Sequence, residues 1–477
     1  MDQPVPGRAM PDPGLTRVET VMAVIAARIA GRLLAPGARL PSVRAFALAQ
    51  GVSKSTVVEA YDRLAAQGAI VSRPGSGFYV AGRPAPFCLA AAGPRLDRAV
   101  DPLWISRQTL ESYPDALKPG CGWLPPDWMP EETLARALRR VAREGGSALT
   151  AYDRPIGLTP LRTQLARRLT ERGVEAHPDQ IVLTESATQA VDLVLRFLTG
   201  PGDTVLVDDP CYFNFHALLR AQRVKVVGVP FGPQGPDLAA LEATLAAQRP
   251  RLYLTNSALH NPTGGALTPA IAHRVLRLAE QHGTLIVEDD VYADFELEPG
   301  PRLAGFDGLE RVIQVGGFSK TLSSAARIGF VALRPDWVDQ FVDLKVAVSL
   351  GDPHLAASVV LQALTDGSYR HHMDTVRARL AEARGRTLAR LRAAGLTVPH
   401  IPPAGMFLWA RLPDGLDAAE ISRRALAERV VLAPGNVFSL SQGAAGFLRF
   451  NVAQCADPRV FAALERAMAG ACGPAAI

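Results

Sequence analysis

Thr284-Leu285-Ile286-Val287-Glu288, running on into Asp289-Asp290-Val291-Tyr292, decides the fold. Its first five residues form a short apolar, β-branched run, too brief for a helix. A near-continuous apolar strand is one covered on both faces, as in a parallel sheet flanked by helices. The preceding segment, Pro269 to His282, has a helical pattern and supplies the crossover such a sheet needs. The alternation repeats outward from there. Strand-like runs stand at Ile181–Thr184, Thr204–Val207, Val224–Val229, Arg251–Thr255, Val312–Val315 and Arg327–Leu333, with helical patterns at Ala187–Leu198 and Pro236–Ala247 between them. The expectation is an α/β region with a mostly parallel central sheet, whose ligands gather at the carboxyl ends of the strands.

Chemically versatile residues do follow those ends. Ser186-Ala187-Thr188 follows the first run and opens a helix, a natural anion site. Asp209-Pro210-Cys211-Tyr212 follows the second, and Asn256 to Gly264, containing Asn261-Pro262-Thr263-Gly264, follows the fourth. Asp289 to Tyr292 follows the fifth and Gly316-Gly317-Phe318-Ser319-Lys320 the sixth. A converging Lys, Asp, Asn, Tyr and helix start suit one cofactor, pyridoxal 5′-phosphate. Lys320 supplies the amine that condenses with its aldehyde. Asp289 pairs with the ring nitrogen, although Glu288 and Asp290 on either side leave the register open. Asn261 and Tyr292 hydrogen-bond the ring oxygen, Tyr212 stacks on the ring, and Arg327 grips the phosphate beside Ser186, Ala187, Thr188 and Ser319. Leu448-Arg449-Phe450 sets an arginine in an apolar run, and a buried arginine wants an anion such as a ligand α-carboxylate. Singly, each has a plainer reading: surface lysine, capping aspartate, turn asparagine, core tyrosine.

Composition narrows the class. The chain has 477 residues, 48% hydrophobic and 20% charged, enough for two to four folded domains and against extended disorder. No run is apolar enough to cross a bilayer, and Met1 to Gly14 has no apolar signal-peptide core. Cys88, Cys121, Cys211, Cys455 and Cys472 form no C-x-x-C pair, so no metal is expected, and an odd count suits the reducing cytoplasm. Net charge is +5 overall. Leu15 to Gly82 alone holds Arg17, Arg28, Arg32, Arg39, Arg44, Lys54, Arg63 and Arg73 against Glu19, Glu59 and Asp62, so the excess sits there. A basic module on a neutral body is the footprint of a nucleic-acid-binding domain, or simply a solvated basic face.

That module predicts a helix over Thr16–Leu34, a second over Val43–Gln50 capped by Ser42, and a third over Lys54–Gln67 capped by Ser53. Two β-like runs, Ala69–Ser72 and Phe78–Val80, flank the turn Arg73-Pro74-Gly75-Ser76-Gly77. Helix, helix-turn-helix and hairpin make a winged helix. Ser53, Lys54, Ser55 and Thr56 occupy the start of the third helix, where free N–H groups and the helix dipole suit DNA phosphates and base edges. Arg44 reaches the same groove, and Arg73 and Gly75 at the wing reach the minor groove or backbone.

The stretches Leu40-Pro41-Ser42-Val43-Arg44, Gly51-Val52-Ser53-Lys54-Ser55-Thr56-Val57 and Arg73-Pro74-Gly75-Ser76-Gly77 resemble the GntR-type winged helix. The cofactor set resembles fold-type I aminotransferases, and the fusion resembles MocR/GabR-type regulators over about Leu15 to Asn451, including Tyr152 to Arg162, Gly405-Met406-Phe407 and Ala433-Pro434-Gly435. The resemblance implies a transcription regulator that binds double-stranded operator DNA, senses an amino-acid-like effector or the cofactor itself, and forms a head-to-tail homodimer in which Tyr152 reaches the partner's phosphate site. The rival expectation is an aminotransferase with an appended DNA-binding domain. Three positions depart from the family pattern: Gly317 stands where Ser or Thr is common, Ser186 where Gly is common, and Asn214 where the GABA-responsive type has Arg. The last leaves Arg449 as the single carboxylate anchor for an effector. The expected boundaries are 12–82 for the winged helix and 83–112 for a linker rich in small residues and proline. An aminotransferase-like domain follows over 113–477, its large subdomain about 145–350 and its small one about 351–477.

Overall fold

A computed structural model describes residues 16–31, 33–73, 75–81, 101, 107, 110 and 115–471. The expected linker over 83–112 lies outside the described residues, apart from 101, 107 and 110, as do Pro74 of the wing turn and residues 12–15. The chain divides into two units, Met1–Cys88 and Leu89–Ile477.

In the first unit, α1 spans Arg17–Ala30, α2 Val43–Gln50 and α3 Lys54–Ala66, followed by a hairpin of β1 (Ile70–Arg73) and β2 (Gly77–Val80). Thr16 and Glu19 cap α1 reciprocally, Thr16 Oγ1 accepting from Glu19 N at 3.3 Å and Glu19 Oε2 from Thr16 N at 2.8 Å. The helix expected to reach Leu34 stops at Ala30, where Gly31 N–H closes on Ala27 O at 2.8 Å. The turn this makes buries Leu34 against Val21, Ile25, Phe46 and Tyr61. Ser42 and Ser53 cap α2 and α3 as anticipated, and Gly51 ends α2 in the left-handed conformation at φ +67°. The hairpin pairs Ile70 with Val80 and Arg73 with Gly77.

The second unit is built on an eight-stranded sheet in the order β3-β10-β9-β8-β7-β4-β5-β6. These are β3 (Ile181–Thr184), β4 (Thr204–Asp209), β5 (Lys225–Gly232), β6 (Gly235–Pro236), β7 (Leu252–Thr255), β8 (Leu285–Asp289), β9 (Val312–Gly317) and β10 (Gly329–Ala332). The run β9-β8-β7-β4-β5 is parallel, and β10 lies antiparallel to β9 and β3. Alternate residues enter two separate cores: Ile181 and Leu183 with Tyr253 and Ile286 on one face, Val182 with Leu252, Leu254 and Val287 on the other. Two-sided burial is why these strands read as unbroken apolar runs.

The helix expected from Pro236 begins at Leu238, with Asp237 Oδ1 accepting from Ala240 N at 2.9 Å. Gly235–Pro236 instead forms β6, pairing back on Phe231 and Gly232. The strand expected over Arg327–Leu333 shortens to Gly329–Ala332, because Arg327 takes a positive φ of +45°. Asp209, Asp289, Gly316 and Gly317 are the last residues of their strands rather than residues beyond them, and Lys320 lies three residues past β9.

A second, antiparallel sheet joins β11 (Phe407–Arg411), β13 (Phe447–Asn451) and β12 (Ala433–Pro434) in that order, with Trp409 and Ala433 both opposite Arg449. The segment 117–120 runs alongside, Gly120 N bonding Val431 O at 2.9 Å and Asn451 N bonding Pro119 O at 2.7 Å.

Gly329 is where the sheet meets the start of the helix Ala187–Leu198. A Cβ there would lie 2.4 Å from Ser186 C and 2.5 Å from Ala187 N. Gly329→Ala should therefore lower stability by about 1–3 kcal/mol, read as a lower urea midpoint. Gly385→Ala, in open space within the helix Ser368–Ala393, should raise it slightly.

Candidate functional site

Because the central strands run parallel, their last residues share one edge of the sheet. A cavity of about 310 Å³ opens there. Lining it are Ser186, Ala187, Thr188, Tyr212, Asn214, Asn261, Asp289, Tyr292, Ser319, Lys320 and Arg327, all singled out above from the sequence.

One end of the cavity is suited to an anion. Ser186 caps the helix Ala187–Leu198, its Oγ accepting from Gln189 N at 3.1 Å, and Ala187 and Thr188 are that helix's first residues. Their N–H groups have no partner within the helix. Arg327 Nη2 lies 3.4 Å from Ser186 Oγ, and Ser319 and Ser324 line the same cavity. A side chain on Gly317, where a hydroxyl residue is common, would be a tight fit: a Cβ would sit 3.3 Å from Ile328 O and 3.4 Å from Ala187 Cβ.

The register of the three adjacent acids is resolved by their partners. Glu288 is fully buried and accepts from Leu303 N and Ala304 N, both at 2.9 Å, and from the Ser257 hydroxyl. Asp290 accepts from Arg302 Nε at 2.9 Å and from Gln314 Nε2 at 3.0 Å. Asp289 alone lines the cavity, with Oδ1 accepting from Val291 N at 3.2 Å. Burial pushes its carboxyl up to about 7; the Val291 N–H opposes this, Asp290 adds to it, and Lys320 opposes it.

Lys320 carries the matching perturbation. Burial pulls its ammonium down to about 8, Arg449 pulls in the same direction, and Cys121 and Asp289 resist. Arg449 is 1% exposed and stands behind Asn261 rather than on the cavity wall. It donates from Nη1 to Asn261 Oδ1 at 2.7 Å and from Nη2 to Gly120 O at 2.6 Å, while its buried Nε has no partner. The guanidinium lies between the rings of Phe407 and Phe438, 4.3 and 4.7 Å from their centroids. Both its partners are uncharged oxygens and no carboxylate pairs with it among the described residues, so the buried charge is not neutralised. A Cβ on Gly122 would lie 3.8 Å from Lys320 Nζ and 3.9 Å from Arg449 Nη2, so one point is close to both groups.

Asn261 joins the two halves, accepting from Arg449 and donating from Nδ2 to the Tyr292 hydroxyl at 3.2 Å. Asn256 holds this arrangement from behind: its Nδ2 donates to Asp289 O and its Oδ1 accepts from Asn261 N at 2.8 Å. Sequence reasoning named its stretch but missed its role, which its place directly after β7 signals. Gly120, Cys121 and Gly122 were missed as neighbours of the site, because the irregular segment ahead of β3 carries no periodic pattern.

The candidate DNA-contacting residues are on the first unit. Ser53, Lys54 and Ser55 are exposed at the start of α3 and Thr56 is half-buried. Ser53 Oγ accepts from Thr56 N at 3.1 Å and lies 2.8 Å from Ser55 Oγ. Arg44 is exposed on α2. Gly75 holds the wing turn at φ +73°, and Arg73 stacks on the Tyr79 ring at 4.4 Å.

Comparison with known proteins agrees with this division. Residues 17–80 match the model of the bacterial regulatory proteins of the gntR family, and residues 125–466 match aminotransferase class I and II. The chain is 34% identical to the uncharacterized HTH-type transcriptional regulator YdcR of Escherichia coli (strain K12), over 89% of this chain and 92% of that one. It is 30% identical to the probable rhizopine catabolism regulatory protein MocR of Rhizobium meliloti, over 85% and 83%. Among solved structures it is similar to LysN, the alpha-aminoadipate aminotransferase of Thermus thermophilus, complexed with N-(5′-phosphopyridoxyl)-L-leucine. That likeness has a TM-score of 0.71 and 30% identity, over 81% of this chain and 97% of that one.

The lowered Lys320 value gives a direct check. Limiting acylating reagent should modify Lys320 with a rate that rises through a pH midpoint near 8, against about 10.4 for an ordinary lysine. Peptide mapping across pH would read it, and an ordinary midpoint at Lys320 would contradict the buried site.

Proposed function

The chain belongs to the aminotransferase class I and II family and carries a gntR-family domain ahead of it, the MocR/GabR-type arrangement, and from this we propose a DNA-binding transcription regulator that senses an amino-acid-like ligand through pyridoxal 5′-phosphate. The observation that carries the reading is one chain holding both an exposed basic helix start at Ser53–Thr56 and a cavity containing Lys320 and Asp289.

The cavity fits the cofactor on its own chemistry. A buried carboxylate held near 7 wants a proton to share, and a ring nitrogen supplies one. A lysine lowered to about 8 has neutral amine available near physiological pH. When bound, pyridoxal 5′-phosphate supplies an aldehyde that condenses with amines and a ring that withdraws electrons from the adjacent carbon. In this reading Lys320 provides the amine and Asp289 keeps the proton at the ring nitrogen. Asn261 and Tyr292 bond the ring oxygen, and Tyr212 packs on the ring. Ser186, Ala187, Thr188, Ser319 and Arg327 receive the phosphate. Arg449 takes the ligand's α-carboxylate, relieving a buried charge that has no anion. Asn214 brings no second cation, so the ligand needs no distal acid.

On the DNA side, α3 enters the major groove through Ser53, Lys54, Ser55 and Thr56, Arg44 supports it, and Arg73 with Gly75 reaches the backbone or minor groove. No helix among the described residues is long and apolar enough to cross a membrane, and we assign the protein to the cytoplasm. We further assign a head-to-tail homodimer, consistent with Tyr152 being 83% exposed and so free to reach a partner's site. We also propose domain boundaries of 12–82, 83–112 and 113–477.

Gel shifts on the DNA upstream of the gene, with and without cofactor, test the regulatory reading, and absence of specific binding in both conditions sinks it. Lys54→Ala should weaken binding across sequences and reduce the slope of log affinity against log salt by about 1. Visible absorption should reveal cofactor covalently joined to the lysine in the wild type and no such linkage in Lys320→Ala. Amino acids should perturb that spectrum more strongly than amines lacking a carboxylate, and Arg449→Met should erase the difference. The intact pairing of Lys320, Asp289 and Arg449 also favours a second reading, transamination. Multiple turnover with an amino acid and a 2-oxo acid at about 1 per second or more would make it the principal one.

A further inference from the structure

A buried polar cluster behind the Lys320 turn has no part in the reading above. Asp294 lies two residues past Tyr292 and is 8% exposed. Tyr369, in the first turn of the helix Ser368–Ala393, is 3% exposed, and Thr321 is 1% exposed. The Tyr369 hydroxyl shares hydrogen bonds with Asp294 Oδ2 and, at 2.8 Å, with Thr321 Oγ1. Asp294 Oδ1 accepts from Arg168 and Arg172, and its main-chain oxygen accepts from Arg377 Nε at 3.0 Å. His372, one turn beyond Tyr369, bonds the Thr321 carbonyl through Nε2 at 2.9 Å. The Phe318 ring stands edge-on to Tyr369 at 6.5 Å.

The residues flanking Lys320 therefore rest on the start of one helix, and one tyrosine oxygen ties them to the loop that follows Asp289 and Tyr292. Apolar side chains of the same shape would fill this space without desolvating an acid and two arginines. What the polar cluster adds is a single relative placement of the two loops, because each hydrogen bond is satisfied in one arrangement only.

We propose that Tyr369 is a positioning residue for Lys320, its hydroxyl locking the Lys320 turn to the Asp289–Tyr292 loop so that amine and carboxylate face the same ligand. The proposal rests on reading Lys320 as the cofactor's lysine. Tyr369→Phe removes the hydroxyl and keeps the ring, while Thr321→Val removes the same bond from the other end.

The full chain, freed of cofactor, is titrated with pyridoxal 5′-phosphate by visible absorption, and the rate of capture is followed against pH. The wild type should capture the cofactor with a midpoint near 8. Each single variant should lose about 2- to 10-fold in affinity, and its capture midpoint should move up toward the ordinary lysine value as water enters the loosened turn. Tyr369→Phe keeps the ring against Phe318, so a moved midpoint reports the lost hydroxyl bonds rather than lost packing. The double variant should be no worse than Tyr369→Phe alone, since the bond that Thr321→Val removes is one of the two that Tyr369→Phe removes. If Tyr369→Phe does not fold, Thr321→Val gives the same reading. Wild-type affinity and midpoint in the variants would overturn this proposal alone. A wild-type chain that captures no cofactor would overturn the functional reading and this proposal with it.

Discussion

Asp289 brings a carboxylate to the end of a strand buried on both faces, and no lysine or arginine forms an ion pair with it among the described residues. Ionising an acid in such a place is costly, which is why its proton is held to about 7. Arg449 presents the opposite problem nearby: a guanidinium 1% exposed, with two donors on uncharged oxygens and a third on nothing. A stable core would exclude both groups or pair them. Here the two stay apart, Asp289 on the cavity wall beside Lys320 and Arg449 bonded to Asn261, so neither neutralises the other. Much of the surrounding hydrogen bonding serves to keep that unfinished arrangement in place.

The sheet makes the arrangement possible. Parallel strands deliver their last residues to one edge, and the helix Ala187–Leu198 points its free N–H groups to the same edge. Glu288 and Asp290 could compete with Asp289 for the cavity but are occupied elsewhere, by the backbone at Leu303 and Ala304 and by Arg302. Asn256 braces Asp289 and Asn261 together, and Asp208 braces Asn256 in turn, accepting from its backbone N–H at 3.3 Å. The cavity is therefore shaped in part by residues outside its wall, Asp208, Glu288 and Asp290.

The winged unit follows a different logic. Its core is small, closed around Tyr61, whose hydroxyl bonds Pro41 O at 3.0 Å and whose ring meets Phe46 and Phe78 edge-on. Each of its three helices opens on a hydroxyl cap, Thr16, Ser42 and Ser53. Ser53 serves both as cap and as the anchor of a small hydroxyl cluster with Ser55 and Thr56, which fixes the end of α3 that carries Lys54. Preordered donors at a helix start suit a phosphate backbone, and the unit's basic excess gives them long-range attraction.

How much of this was legible beforehand depends on the range of the interaction. Local signals were readable: Ser42 and Ser53 as caps, the helices Val43–Gln50, Ala187–Leu198 and Pro269–His282 to the residue, and strands whose apolar runs reflect burial on both faces. The order of polar residues after those strands was enough to collect Lys320, Asp289, Asn261 and Tyr292 as one set. Where the reading failed, backbone pairing or packing overrode the side-chain pattern. Gly235–Pro236 joins Phe231 and Gly232 rather than a helix, Arg327 leaves the strand at a positive φ, and α1 ends early so that Leu34 can turn into the core. Only the tertiary structure could distribute three adjacent acids among three different partners, bring Gly120 and Gly122 to Arg449 and Lys320 from far away in the chain, or set Tyr369 behind Thr321. Those placements are decided by which segments pack together, and no neighbouring residue in the chain records them.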